Sequence, residues 1–527
     1  MRQKGWLYGL MICSMVMLLI VSACGNENTN NNSGTSASGT SSSSSSSTAN
    51  NASDSSDTSK LEPVELHYYY TGSPQKDLKM VEDAMNVILK EKINATVKLN
   101  QVDWGNYEQK MNLMNSSGEY YDLAFTAPWM NNYYDNITRQ TLIPLDELLE
   151  KYAPKTKASI PDKIWEAARV DGKIYGVINY QIVALQYGVS IRKNIADKIG
   201  FDVSTIKKIA DVEPYLEKIK TQLPDVTQPM VFTAAGDSFN GQPQAFGMDA
   251  IGGNSDPGWV YLNDGTKVVN QYESPEYKEF VELMHRWYQK GYINKDALNI
   301  TDLEPDRKAG RLGISIGESM KPGQAEAYKA SYGEEIILHP LTEGTITTGG
   351  AIATMTGISS TSKNPERAMM FLELLNTDKE LFNIFAKGIE GVHYEFVDKE
   401  KGVIGPPSGM SQADVGYNPN TDWMYGNQFN AYYVAMDQVG TYEQTIALNE
   451  SAKSSPIVGF SFNSEPVKTD LAQVSAVIGK YQVSLISGLA DPAVVLPEFL
   501  AKLKDAGVDR IIAEKQKQLD EFFAGKK

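Results

Sequence analysis

From Leu61 onward the hydrophobic period of the chain switches back and forth. Val64-Glu65-Leu66-His67-Tyr68-Tyr69-Tyr70 is rich in β-forming residues and stops at Thr71-Gly72-Ser73-Pro74, which predicts a strand and then a loop. Leu78, Val81, Met85, Ile88 and Leu89 then recur at helical spacing, which predicts an amphipathic helix. The next strand spans 95–102, the next helix 107–114, and a third strand covers 121–126, broken by Ala127-Pro128. This is the βαβ order of a parallel sheet, whose loops at the carboxyl ends of the strands form a ligand crevice. Farther on, Asn364-Pro365 starts a predicted helix with Ala368, Met369, Leu372 and Leu375 on one face. Ser274-Pro275 starts another that stops at Gly291. Asn263-Asp264-Gly265 reads as a tight turn between strands. The chain has no repeat period of the solenoid or propeller kind.

The segment ahead of this body carries a different signal. Arg2 and Lys4 precede an apolar run from residue 6 that closes on Val21-Ser22-Ala23-Cys24, and a tract of Ser, Asn and Thr follows. Residues 1–23 read as an export signal, Cys24 as a lipidation site, and 24–60 as a flexible tether. The run is also close to the length of a bilayer span, so an uncleaved anchor is the alternative. Ser22 and Ala23 favour cleavage, and both readings hold the body outside the cytoplasmic membrane. The tether lacks the apolar groups that offset ordering entropy, and its mean span is about 30–36 Å. The two cysteines are Cys13 and Cys24, so the mature body has no thiol for a disulfide, a thiolate metal site or a nucleophile.

About 467 residues follow the tether. A single core rarely grows past roughly 250–300 residues, so two lobes are expected. The net charge of −16 opposes nucleic acid and anionic lipid as partners, because both are bound through Lys and Arg. Gly313-Ile314-Ser315-Ile316-Gly317 matches a serine-nucleophile pattern, but Leu312, Ile314 and Ile316 alternate through it as in a strand, and Pro322-Gly323 interrupts the helix that an elbow requires. His67, His285, His339 and His393 show no metal-ligand spacing. A carboxylate pair for sugar hydrolysis can be neither located nor set aside among 65 Asp and Glu.

Several stretches together resemble a known family. They are Ser117-Gly118-Glu119-Tyr120-Tyr121-Asp122-Leu123, Asp171-Gly172-Lys173-Ile174-Tyr175-Gly176-Val177, Asn364-Pro365-Glu366-Arg367-Ala368 and Phe371-Leu372-Glu373-Leu374-Leu375. In this order they resemble the bacterial extracellular solute-binding proteins that serve sugar ABC importers, in the maltose-binding class. The tail, with Gly459-Phe460-Ser461-Phe462, Glu465-Pro466-Val467 and Ala506-Gly507-Val508-Asp509, resembles the extra C-terminal domain of a Gram-positive lipoprotein branch.

The resemblance implies an α/β, two-lobe periplasmic-binding-protein-like fold of type II, with mixed sheets flanked by helices and a hinge. It implies a first lobe of 62–183 plus about 344–390, and a second of 184–343 plus about 391–527. It further implies a monomer without cofactor or metal that closes over a solute and presents it to ABC permease subunits in the membrane. A surface enzyme acting on polysaccharide and a sensory or structural envelope lipoprotein are the rival readings, and peptides and other small solutes are the rival ligands.

A sugar offers flat C–H faces and a rim of hydroxyls, so it calls for aromatic rings and short planar polar groups. Aromatics beside polar residues in loops after strands are therefore the candidate contacts. In the first lobe these are Tyr70 and Thr71, Asp103 and Trp104, Trp129 and Asn131, with Tyr180 and Gln181 near the expected crossover. Asp237, Phe239 and Glu318 are the candidates from the second lobe. Gly349 and Gly350 allow close backbone approach, and Trp423 and Asn427 lie in a loop rich in Tyr, Asn and Gly.

Overall fold

The computed structural model describes residues 61–232, 238–300 and 303–525. Cys24, the expected signal and tether, and Asp237 lie outside the described residues.

The first lobe is built on a five-stranded sheet in the order Ala95–Val102, Val64–Thr71, Leu123–Thr126, Met355–Ile358, Gly176–Ile178. The first three strands are parallel, as the alternation of strand and helix predicts, with Val64 opposite Ala95, Thr71 opposite Val102 and Tyr68 opposite Leu123. Leu66, Tyr68 and Tyr70 point to one face and are buried, because a strand alternates its faces. The helix Leu78–Ile93 covers that sheet with Val81, Met85, Leu89 and Ile93, and Asn94 ends it in the left-handed conformation at φ 43°. The helix Pro365–Thr377 buries Ala368, Met369, Leu372 and Leu375 as its spacing predicts.

The strand Met355–Ile358 runs antiparallel to Leu123–Thr126 and to Gly176–Ile178. Its amino end therefore lies at the same edge as the carboxyl ends of the parallel strands and of Gly176–Ile178. Five loops, after Thr71, Val102, Thr126 and Ile178 and before Met355, share that edge.

The second lobe is organised around the long strand Ala184–Arg192, which has Leu312–Met320 antiparallel on one side and Ile336–Pro340 antiparallel on the other. Gln228–Met230 runs parallel to Leu312–Met320. Val189, Ile191, Met230 and Ile314 form one core with Phe280 and Met284 of the helix Pro275–Gln289, and with Leu485, Phe499, Leu503 and Ile511 from the C-terminal helices. Ser315 sits mid-strand opposite Ser190, which is not the strand-to-helix turn that a serine nucleophile needs.

Three segments cross between the lobes side by side. Ala184 and Leu185 pair antiparallel with Ile346 and Thr345, which in turn pair parallel with Ser454 and Lys453. Buried Asn449 braces the first crossing: its Oδ1 accepts from the Val183 and Ala184 amides at 3.0 and 3.1 Å, and its Nδ2 donates to the Gln181 carbonyl at 2.8 Å.

Two expectations are corrected. Tyr417, Met424, Tyr425, Ala431 and Ala452 lie in the first core, so the stretch after 390 that was expected in the second lobe packs on the first. The chain returns only at the third crossing, which no composition change marks. The hairpin near 263 turns at Leu262 and Asn263, with Tyr261 opposite Asp264, and Gly265 is already in the strand Asp264–Val269. Gly265 is needed there for a different reason: a Cβ would sit 2.4 Å from the ring of Pro456. Among the described residues no helix is long and apolar enough to cross a membrane.

Candidate functional site

Three tryptophans from three separate loops meet at the shared edge of the first sheet. Trp104 and Trp423 are stacked, with centroids 6.3 Å apart and planes at 18°, and Trp129 lies 6.3 Å from Trp423 at 38°. Trp104 and Trp423 are half-buried, and Trp129 is 51 % exposed. Their faces form a row two steps long.

Each ring is held by its own local device. Asp103 accepts from the Gly105 amide at 3.1 Å and from the Asn106 side chain at 2.6 Å, which fixes the turn that carries Trp104 into the helix Tyr107–Ser117. The Trp129 loop is wound around Asn131, which is buried and has φ 45°. Its Nδ2 donates to the Phe125 carbonyl at 2.8 Å, its carbonyl accepts from Thr126 Oγ1 at 2.6 Å, and its Oδ1 accepts from Asn136. The Trp129 indole N–H donates to the Ala353 carbonyl at 2.7 Å, and the ring leans on Phe125. Trp423 sits on the short turn Asp422–Met424. That turn is stitched to the strand end by Asn179, which donates to the Met424 carbonyl and accepts from the Gly426 amide, and by Tyr180, whose amide donates to the Gly426 carbonyl at 2.8 Å.

Polar groups border the row. Gln181 Nε2 donates to Thr354 Oγ1 at 3.0 Å, and Thr354 Oγ1 donates to the Trp423 carbonyl at 3.2 Å. Beneath the row the hydroxyls of Tyr70, Tyr417 and Tyr425 are pushed far up by burial and stay protonated. Lys387 and Asp422 form a largely buried ion pair of 2.9 Å that anchors the Trp423 turn on the helix Lys379–Lys387.

The structure thus brings together Trp104, Trp129, Trp423 and Gln181 of the expected contacts. Several others serve the framework instead. Tyr70 is packed edge-on to Phe385 within the core, and Thr71 is wholly enclosed. Asp103 and Asn131 spend their hydrogen bonds on their own loops. Tyr180 is buried edge-on to Phe429, and Asn427 caps the Phe429 amide. Phe239 is stacked on Trp259 in the second core, a packing residue. Glu318 accepts from Ser190 Oγ at 2.6 Å within the second sheet. Gly349 and Gly350 lie in the turn Thr348–Ala351 just after the second crossing, where Gly350 donates to Thr347 Oγ1 and Gly349 faces open space. Thr354 and Ala353 escape sequence reasoning because they precede a strand, and a rule that looks after strands finds them only when the strand direction is known.

Comparison with known proteins agrees with this architecture. Residues 84–392 match the family described as bacterial extracellular solute-binding protein, and residues 456–524 match a domain family of unknown function. A carbohydrate ABC transporter substrate-binding protein of Streptococcus pneumoniae is 30 % identical over 477 residues, which is 87 % of this chain and 91 % of that protein. Lipoprotein LipO of Bacillus subtilis is 20 % identical over 400 residues, 68 % of this chain and 74 % of that protein. The crystal structure of the N-glycan transport solute binding protein of Streptococcus pneumoniae matches with a TM-score of 0.75 at 28 % identity, covering 88 % of this chain and 100 % of that one. In complex with Man1GlcNAc the same protein matches at 0.63, covering 87 % and 99 %. With a family match over more than half its length and a relative of this similarity over nearly all of it, the chain belongs to the bacterial extracellular solute-binding proteins.

Proposed function

We propose that this chain is the lipid-anchored binding component of an ABC importer, which captures an oligosaccharide on the tryptophan row and delivers it unchanged to a permease. The row itself carries the reading: three tryptophan rings bordered by the half-buried Gln181 amide match the apolar faces and hydroxyl rim of linked sugar rings. The relatives' names support the ligand class, since one is a carbohydrate transporter component and the other is described with Man1GlcNAc bound.

In this reading the first lobe comprises 62–183 and 345–452, and the second 184–344 and 453–525, with the three paired crossings as hinge. Sugar bridging both walls favours the closed form by its differential affinity. The fall in TM-score from 0.75 to 0.63 between the N-glycan protein described without a sugar and its complex supports a rearrangement of this kind. Cys24 carries the lipid, as its sequence setting and the name of the Bacillus relative suggest. The body works as a monomer without metal or cofactor, and its acidic lobes face basic permease loops.

The test is calorimetry of residues 25–527 against mannose–N-acetylglucosamine oligosaccharides, other glycans and peptides, with the glycan analysed afterwards. One-to-one binding with intact glycan is expected, together with a smaller radius of gyration in solution scattering. Catalytic loss of glycan would make the chain an enzyme, and binding of peptides alone would overturn the ligand class.

A further inference from the structure

Granted the proposed capture of an oligosaccharide, we propose that Asn449 is a positioning residue for it, which sets affinity by holding Gln181 in place beside the tryptophan row. Asn449 lies near the end of the helix Thr441–Ser451 and is wholly buried. Asparagine is a weak helix former, because its amide competes for backbone groups. Here the amide binds the backbone of another segment.

That segment is 181–184, which leads from the row to the first crossing. Asn449 Nδ2 donates to the Gln181 carbonyl at 2.8 Å, and Oδ1 accepts from the Val183 and Ala184 amides at 3.0 and 3.1 Å. One planar group thus grips both ends of the stretch. Without it these backbone groups lose their partners, and buried groups so deprived draw the chain toward other ones.

The Gln181 side chain reaches from the gripped peptide to the row. Its Nε2 donates to Thr354 Oγ1 at 3.0 Å, and Thr354 Oγ1 donates to the Trp423 carbonyl at 3.2 Å. Gln181 is half-buried, unlike Asn449, so its amide is the group that a sugar hydroxyl meets. A line of hydrogen bonds therefore joins Asn449 to the middle ring of the row. Beyond Asn449 the chain runs through Ala452 to the third crossing at Lys453 and Ser454, so one side chain connects two crossings with the sugar seat. Hydrogen bonds weaken steeply with misalignment, and a shifted Gln181 peptide carries its amide off the hydroxyl.

The test is Asn449→Asp in residues 25–527, titrated by calorimetry with mannose–N-acetylglucosamine oligosaccharides between about pH 5 and 8, beside wild type. A protonated carboxyl at this position donates to the Gln181 carbonyl and accepts from the two amides, as the asparagine does. An ionised one turns a lone pair on the carbonyl and pushes the Gln181 peptide away. Asp249, a buried carboxyl of this chain that also accepts from a backbone amide, is raised by burial to about 6, which places the change inside that range. Tyr180, Glu450 and Lys163 stand about position 449, and the wild-type profile accounts for their titration. We expect affinity within about threefold of wild type at the acid end and about tenfold weaker at the alkaline end. In Gln181→Ala the same substitution should change affinity less than about twofold at any pH, because Asn449 acts through Gln181.

A purely structural residue would lower the melting temperature and leave the affinity of the folded variant parallel to wild type across pH, which would overturn the inference. A loss of equal size in the Gln181→Ala background would overturn it too. Melting temperatures check folding at each pH. Asn449→Ser, neutral and smaller, serves in the same cycle against Gln181→Ala if the acidic variant does not fold. Failure of wild type to bind any of these oligosaccharides would overturn the proposed function, and the role of Asn449 with it.

Discussion

Replacing Trp129 by alanine tests the proposed capture surface directly, and its size follows from exposure. Trp129 is 51 % exposed, and a tryptophan presents roughly 250 Å² when free, so about 125 Å² of indole faces outward. A sugar ring lying on one face covers about half of that, or ~60 Å², which at ~25 cal/mol per Å² stabilises the complex by about 1.5 kcal/mol. Each factor of ten in affinity corresponds to about 1.4 kcal/mol, so Trp129→Ala should weaken oligosaccharide binding about 10- to 15-fold. The ring is already fixed by its bond to the Ala353 carbonyl, so wild type loses little side-chain entropy on binding. Stability should fall by up to about 3 kcal/mol, since the inner half of the ring packs on Phe125 and its N–H bonds the Ala353 carbonyl. Calorimetry of wild type and variant with the same glycan measures the first quantity, and urea unfolding the second. An affinity unchanged within twofold, with the glycan still bound at one-to-one ratio, refutes the argument that this face holds sugar.

Trp423→Ala removes the middle of the row and should cost more than Trp129→Ala, about 30-fold or greater, with a double variant that is non-additive because the two rings touch; calorimetry checks both. Gly265→Ala should destabilise by about 1–3 kcal/mol, because the added Cβ would stand 2.4 Å from Pro456 and overpacked sites cost that much; the unfolding midpoint reports it. Lys515 is fully buried, donates to the Ile251 carbonyl and lies 5.2 Å over the Phe462 ring, and burial pulls it from 10.5 down to about 7 against the opposing pull of Asp256. Below pH 7 the native and unfolded chains both hold the proton and the burial cost is full; between 7 and 10.5 the unfolded chain holds one proton more, so stability rises with pH. Lys515→Met removes that rise, and the difference between wild type and variant in urea unfolding should change by about 2–3 kcal/mol from pH 7 to 9; a flat difference refutes the buried charge.

The parallel half of the first sheet was legible because its strands and helices carry clean periods: Ala95–Val102 begins and ends where the sequence pattern places it, and the helix Leu78–Ile93 shows its buried stripe in the spacing of its apolar residues. Trp104 and Trp129 could be placed at the shared edge of the first sheet because each follows a strand whose direction the pattern fixes. Thr354 could not be placed there, since it precedes an antiparallel strand contributed from more than 170 residues beyond Gly176–Ile178, its neighbour in the sheet. Tyr70 and Phe239 were misleading for a common reason. An aromatic at a strand end or in a glycine-rich stretch reads the same whether its ring turns outward or into the core, and only packing decides. The packing of 391–452 on the first core is not visible in the sequence, because that stretch has the same mixed composition as its surroundings and is held by rings such as Tyr425, stacked 4.0 Å from Phe385.

The C-terminal domain follows from the same geometry as part of the hinged body rather than an appendage. Its match begins at residue 456, directly after the third crossing at Lys453 and Ser454. From there the Gly459 amide donates to Thr348 Oγ1 at 3.0 Å, and Thr348 Oγ1 donates to the Ile457 carbonyl at 3.3 Å, while a Cβ on Gly459 would lie 2.8 Å from the Glu166 carbonyl. Both contacts are with the first lobe. The helices that follow belong to the second: Leu485, Phe499 and Ile511 share a core with Phe280 and Met284, His285 Nδ1 meets the Gly488 carbonyl at 2.8 Å, and Gly488 approaches the Met284 backbone where no Cβ would fit. A chain ending before 456 would leave that core open on one side, so the second lobe depends on the domain for its fold. Because the same segment touches Thr348 just beyond the second crossing, the domain packs beside the crossings as well as on the core.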